Sequence, residues 1–373
     1  MQKIFLFCFV ILFSSCGNKS SEEHITKKPE LTKDSSSTET ITKKPSEQNK
    51  ENLISIIAVG DIMMGSNYPT NASLPPNDGR DILSGVSEAL QNADITLGNL
   101  EGTLLNSGGK AKDCGEHCHA FRMPEHYAEY LKDAGFDYMN LANNHSGDFG
   151  VIGRESTKNT LESYGIKYGG LQDAETSVME VGRTKIGFAG FAPNWGTCDI
   201  NNLSKAKEIV SDLKKECDIV VVCFHGGAEG TGAQRVRNET EYYLGEKRGN
   251  VVEFSHGVIE AGADLVLGSG PHVARAMELY EGKFIAYSLG NFCTYGKFGL
   301  AGVLGLAPIL KVYVDGKGKF VKGEIISVQQ KGRGIPEIDE TNKSAQIISK
   351  LTQMDFTNSK INIDGDGIIT IDN

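Results

Sequence analysis

The chain has 373 residues, 39% of them hydrophobic, enough for one large folded body or two modest ones. Its formal charge of −10 and the lack of a basic run argue against a nucleic-acid partner. No apolar run is long enough to cross a bilayer as a helix.

The chain opens with Lys3, an apolar run Ile4–Phe13 and the small residues Ser14 and Ser15, the pattern of a secretory signal over residues 1–15. Phe13-Ser14-Ser15-Cys16 resembles the lipobox of bacterial lipoproteins, with Phe where Leu is usual. The resemblance implies acylation of Cys16, which anchors a protein to a membrane without spanning it. Gly17, in place of an Asp, fits outer-membrane delivery if the cell is Gram-negative. Residues 16–53 are rich in Lys, Glu, Ser, Thr and Pro, and ITKKPE at 25–30 returns as ITKKPSE at 41–47. Such a stretch buries too little apolar surface to offset its ordering entropy, so a disordered tether is predicted.

From Ile54 the pattern alternates. Strand-like Ile54–Val59 precedes a predicted helix over Asp81–Gln91, and strand Ile95–Gly98 precedes a helix over Glu125–Asp133. Strand Tyr138–Leu141, helix Arg154–Tyr164, strand Lys185–Phe191, helix Ser204–Glu216, strand Ile219–Phe224, helix Val251–Ala261 and strand Leu265–Leu267 follow. This order predicts an α/β fold with sheets covered by helices. After it, Met277–Tyr280, Phe284–Ser288, Pro308–Val314 and Phe320–Gln329 read as consecutive strands, then a helix over Lys343–Met354 and a small terminal strand. A second, partly antiparallel sheet packed on the first is the economical arrangement. The terminal DGDG at 364–367 lacks the later Glu of a calcium loop and reads as a hairpin turn.

Chemistry collects where strands stop. Asp61 ends IIAVGD, Glu101 ends ITLGNLE, Asn143, Asn144, His145 and Asp148 follow Tyr138–Leu141, and His225 and His272 end two further runs. Ligands bind at the carboxyl ends of strands in open α/β sheets, and carboxylate, amide and imidazole together suit a divalent metal. Each residue also has a structural reading: Asp61 as a turn cap, Glu101 as half of an ion pair, Asn144-His145 as a polar turn, His225 as a buried core histidine. His256, inside an amphipathic helical pattern, reads as structural, and GGAEGTGAQ at 226–234 lacks the Lys-Ser/Thr of a phosphate loop. Cys114, His117, Cys118 and His119 leave a zinc site, a loop disulfide or free thiols open, while Cys217 and Cys223 read as buried thiols.

Asp61 in VGDIMMG, Glu101 in GNLEGTL, NLANNHSGDFG, FHGGAE and PHVARAMELYEGKFIAYSLGNF resemble the capsule synthesis protein CapA family, also called poly-γ-glutamate capsule biosynthesis proteins, which is related to calcineurin-like metallophosphatases. The similarity runs in order from about Ile54 to Phe292. It implies a four-layer α/β/β/α sandwich, with a core domain over 54–295 and a β/α extension over 296–373 that completes it. It further implies one or two divalent ions (manganese, zinc or iron) held by Asp61, Glu101, Asn144, His225 and His272. His145 would assist the leaving group, and Asn143, Asp148, Glu229 and Arg275 would contact substrate. The implied role lies in biosynthesis or export of an anionic surface polymer, by phosphoester hydrolysis or, alternatively, as a non-catalytic polymer-binding factor on the same scaffold. One departure stands out: relatives carry a histidine between the glycine and proline of the last motif, where this chain reads Gly268-Ser269-Gly270-Pro271-His272. The missing imidazole predicts a weakened metal that Ser269→His would restore.

Overall fold

Residues 53–113 and 119–372 are described by the computed structural model. The leader, Cys16, most of the linker, Cys114, His117 and Cys118 lie outside them. Strand Ile54–Met63 is the central element of a nine-stranded sheet, because its side chains are buried on both faces. Parallel strands Ile95–Leu100, Tyr138–Asn140 and Lys167–Gly169 extend the sheet on one side. Antiparallel Ile309–Val314, Phe320–Ile326, Ile368–Ile371 and Ile361–Ile363 extend it on the other. Residues 296–373 therefore supply nearly half of this sheet, and DGDG forms the turn between its two last strands.

The second sheet has six strands. Leu265–Ser269, Ile219–His225 and Thr184–Phe191 form its parallel centre, Lys283–Ala286 and Met277–Tyr280 extend one edge, and Thr176–Val181 closes the other. The two sheets face each other. Ile56, Leu97 and Tyr138 of the first pack in one buried cluster with Phe188, Val221 and Leu267 of the second. The Tyr138 and Phe188 rings stack with centroids 4.6 Å apart, which welds the layers at their middle. Helices Tyr127–Asp133 and Gly150–Ser163 bury Leu131 and Leu161 on the outer face of the first sheet. Helices Leu203–Glu216 and Val251–Glu260 bury Ile209, Val210, Leu213 and Val258 on the outer face of the second. The result is the four-layer α/β/β/α sandwich, with both parallel centres hidden as such sheets require.

Local sequence sets the helix starts. Asn202 and Asn250 each accept a hydrogen bond from the backbone N–H three residues on, the reach of an N-cap side chain. The helix predicted over Asp81–Gln91 shrinks to Ser87–Leu90, since Gly85 lies against the Pro336 carbonyl and the preceding segment packs as turns. The run Phe320–Gln329 breaks into two strands, Phe320–Ile326 and Val328–Lys331, which pair in different sheets. A hairpin, Glu241–Tyr243 with Glu246–Gly249, turns through Leu244 and Gly245, both at positive φ. Cys217 and Cys223 are buried free thiols, and His256 stacks on Tyr280 while facing Glu278 at 2.9 Å. Among the described residues, no helix is long and apolar enough to cross a membrane.

Candidate metal centre

The parallel strands of both sheets end on one side of the sandwich, and their last residues converge. Asp61 sits at the end of Ile54–Met63, where Gly60 lets the chain pass so close to the Gly290 carbonyl that any Cβ would overlap it. The Asp61 N–H donates to that carbonyl at 2.9 Å, which fixes the carboxylate's direction. Glu101 follows Ile95–Leu100, His225 ends Ile219–His225, and His272 lies just beyond Leu265–Ser269 in a left-handed conformation at φ 59°. Ligand atoms of Asp61, Glu101 and His272 lie within 4.8 Å of one another.

Three imidazoles surround one carboxylate oxygen. Glu101 Oε1 is 3.8 Å from His145 Nε2, 3.9 Å from His225 Nε2 and 3.8 Å from His272 Nε2. These separations are too long for hydrogen bonds. Both Glu101 oxygens, His225 Nε2 and Asn144 Oδ1 are buried with no hydrogen-bond partner among the described residues. Glu101 and Asp61 are fully buried, so two carboxylates share a site remote from water. Burial and the neighbouring Asp61 charge push Glu101 well above the usual carboxylate range. Burial alone would lower His272, but Glu101 and Asp61 outweigh it and push the ring up to about 10. Burial holds both His145 and His225 below the usual imidazole value, the latter strongly. Unpartnered groups around like charges are what a divalent cation would resolve; Asp61, Glu101 and His272 lie close enough to share one, with His225 Nε2 3.9 Å from Glu101.

The remaining nitrogens are tied from behind. His145 Nδ1 donates to Asp148 Oδ2 at 2.8 Å, and His272 Nδ1 donates to Asp61 Oδ2 at 2.9 Å. Asp148 Oδ2 also accepts from the Phe121 N–H at 2.6 Å, and Lys112 Nζ lies 2.6 Å from Asp148 Oδ1. Phe121 stacks on the His145 ring with centroids 4.2 Å apart. The His145 imidazole is thus held by a carboxylate on one edge and an aromatic face on another.

Asn99, absent from the sequence-based set, links the two halves. Its Nδ2 donates to Asp61 Oδ1 at 2.8 Å and lies 3.2 Å from His225 Nδ1. Its Oδ1 accepts from Asn140 and Asn143. The signal was present in GNLE, where Asn99 is two residues before Glu101 and shares its strand face.

Asn143, Asp148 and Arg275, expected to contact substrate, are buried and engaged by other groups of the chain. Asn143 spends its amide on Asn99, the Leu100 carbonyl and the His145 N–H, and is buried. Asp148 is wholly inside the loop network. Arg275 is fully buried and forks onto both Glu241 oxygens at 2.8 and 2.7 Å, so it clamps the hairpin. Glu229 does reach the site, 3.7 Å from His272 Nε2 and 3.2 Å from Arg248. Above the cluster opens a cleft of about 570 Å³, into which Lys112, His145, Glu229, Arg248, His272 and Lys297 face.

The model of the family described as bacterial capsule synthesis protein PGA_cap matches residues 55–295. The chain is 27% identical over 270 residues to capsule biosynthesis protein CapA of Bacillus anthracis, covering 66% of this chain and 61% of that one. It is 30% identical over 261 residues to PGA biosynthesis protein CapA of Bacillus subtilis, covering 65% and 63%. It thus spans under two thirds of the length of each relative. Among solved structures, a putative 5′-nucleotidase of Staphylococcus aureus aligns over 80% of this chain and 58% of that one, with 15% identity and a TM-score of 0.44. The matched region takes in the central strand, both parallel sheet centres and every residue of the buried cluster, and the chain belongs to the PGA_cap family of bacterial capsule synthesis proteins.

Proposed function

We propose that this protein is a lipid-anchored, metal-dependent hydrolase of the cell envelope, acting on a phosphoester in the biosynthesis or export of a capsule or poly-γ-glutamate surface polymer. The observation that carries the reading is Glu101: a fully buried carboxylate with no hydrogen-bond partner, ringed by three Nε2 atoms. Asp61, Glu101, Asn144, His225 and His272 would hold manganese, zinc or iron. A bound divalent ion supplies Lewis-acid polarisation and water with a pKa near neutrality.

The chain's own groups do the rest. His145 keeps its Nδ1 proton on Asp148 and directs Nε2 toward the cluster; a second proton taken up at Nε2, making the ring an imidazolium, would be the one delivered to a leaving oxygen. Lys112 fixes Asp148 from the far side and keeps that tautomer in place. Lys112 and Lys297 give the cleft positive charge, which suits an anionic substrate in an otherwise acidic protein. Acylation of Cys16 would hold this cleft at a membrane surface.

The test combines elemental analysis of protein purified without chelator with turnover on a panel of phosphate mono- and diesters. Bound metal with hydrolysis that His145→Ala abolishes supports the reading. Metal-free protein, or metal-loaded protein without turnover whose envelope phenotype survives His145→Ala, defeats it and favours a polymer-binding scaffold.

A further inference from the structure

Two of the three imidazoles around Glu101 are set by carboxylates: His145 by Asp148 and His272 by Asp61, each accepting from Nδ1. Each carboxylate oxygen accepts, so each ring has a proton on Nδ1 and turns its Nε2 toward Glu101. His225 has no carboxylate behind it at hydrogen-bonding distance, since its Nδ1 is 3.8 Å from Asp61 Oδ1. Two other groups lie 3.2 Å from that nitrogen: Asn99 Nδ2 and Ser269 Oγ.

These neighbours demand opposite tautomers. An amide nitrogen only donates, so a hydrogen bond from Asn99 would place the ring's proton on Nε2 and close that atom to a cation. Ser269 Oγ gives its hydrogen to the Phe224 carbonyl at 3.2 Å, which only accepts. Its oxygen is then free to accept from Nδ1–H, leaving His225 Nε2 as a bare lone pair. Asn99 Nδ2 carries two hydrogens: Asp61 Oδ1, at 2.8 Å, takes one, and the other is the donor that Ser269 competes with at Nδ1.

We propose that Ser269 is a positioning residue that holds His225 in its Nδ1–H tautomer, presenting Nε2 to a divalent cation bound with Asp61, Glu101 and His272. On this account Ser269 is not a lost ligand. It is buried and faces the Nδ1 edge of His225, opposite the Nε2 edge that looks toward Glu101. Nor can the next residue carry a ligand in this backbone, because Gly270 has φ +113° and a Cβ there would sit 2.8 Å from the Gly226 nitrogen and 2.9 Å from its oxygen. The inference rests on the metal-centre reading above.

The test uses ¹⁵N-histidine-labelled, chelator-treated protein. Long-range proton–nitrogen spectra report the His225 tautomer, assigned by loss of its signals in His225→Gln, and calorimetric titration reports zinc affinity. Wild-type protein should show Nδ1–H. Ser269→Ala should move the proton to Nε2 and weaken zinc by about 10–100-fold, the usual effect of removing a group that orients a ligand. Ser269→Thr keeps the hydroxyl and should restore both readouts, which a general packing defect would not allow. A wild-type ring protonated on Nε2, or Ser269→Ala with tautomer and zinc affinity unmoved, overturns the role of Ser269 while leaving the metal centre standing. Wild-type protein that takes up no zinc, manganese or iron overturns the metal centre and this role with it.

Discussion

Two buried carboxylates lie on opposite sides of His145, and they live in opposite surroundings. Asp148 is paired on each oxygen: Lys112 forms an ion pair with one at 2.6 Å, and the His145 ring and the Phe121 N–H donate to the other. Glu101 meets none, although three imidazole nitrogens lie within 3.9 Å. A buried charge is tolerated when it is paired and hydrogen-bonded and is costly otherwise. The Asp148 region is therefore paired within the chain, whereas the Glu101 region is one that a cation would complete. Burial alone does not distinguish them, because both are 0% exposed; the partners do.

The sharpest way to break this contrast is Asp148→Ala. It strands Lys112, the His145 ring and a buried N–H together. Losing one member of a buried pair costs about 3–5 kcal/mol, and the partial exposure of Lys112 places this case near the low end. Chemical denaturation should record that loss, while elemental analysis finds the metal content retained. A loss of metal equal to that in a Glu101 variant would erase the distinction between the regions.

Glu101→Gln should act with the opposite sign. Removing a buried, unpartnered carboxyl whose ionisation the fold resists is expected to stabilise the chelator-treated protein by about 1–3 kcal/mol while bound metal falls to background. Thermal unfolding with and without chelator checks both halves, since wild-type stability should drop on chelation and the variant's should not change. A variant less stable than wild type in chelator would mean that Glu101 has a partner in the chain after all.

Ser269→His, which restores a ligand on sequence grounds, is expected to fail. The ring would enter a packed space at the Nδ1 edge of His225, beside a Gly270 that leaves no backbone slack, and overpacking there costs about 1–3 kcal/mol. Metal affinity should fall along with the melting temperature; a rise in bound metal would revive the idea of a missing ligand. Asn99→Ala should have the smallest effect, about tenfold in metal affinity, because it frees Asp61 to reorient without removing a ligand. Calorimetric titration measures it, and unchanged affinity would show that Asp61 is held by its backbone and His272 alone.

The sequence by itself determined which strand ends carry ionisable and amide groups. Asp61, Glu101, Asn144, His225 and His272 each follow an apolar run, and that is a local pattern: side chains alternate along a strand, and polar groups appear where pairing stops. The alternation of strands and helices likewise announced covered parallel sheets. What lay beyond it was every decision made by partners distant in the chain. Arg275 looked like a substrate cation until Glu241 claimed both ends of its guanidinium, and Asn143 turned inward because Asn99 and Leu100 offered it a buried network. Asn99 had only its place in GNLE and Ser269 no signal as a supporting group, since their roles exist only once His225, 126 and 44 residues away in sequence, is brought beside them. The hairpin at Glu241–Gly249 was hidden for a similar reason: its turn places Leu244 at φ 48°, a conformation leucine does not favour on its own, and Arg275 anchors its first strand from outside. Local periodicity fixes where a polar group sits along its own strand; whether that group is satisfied or left open is set by long-range packing of the two sheets.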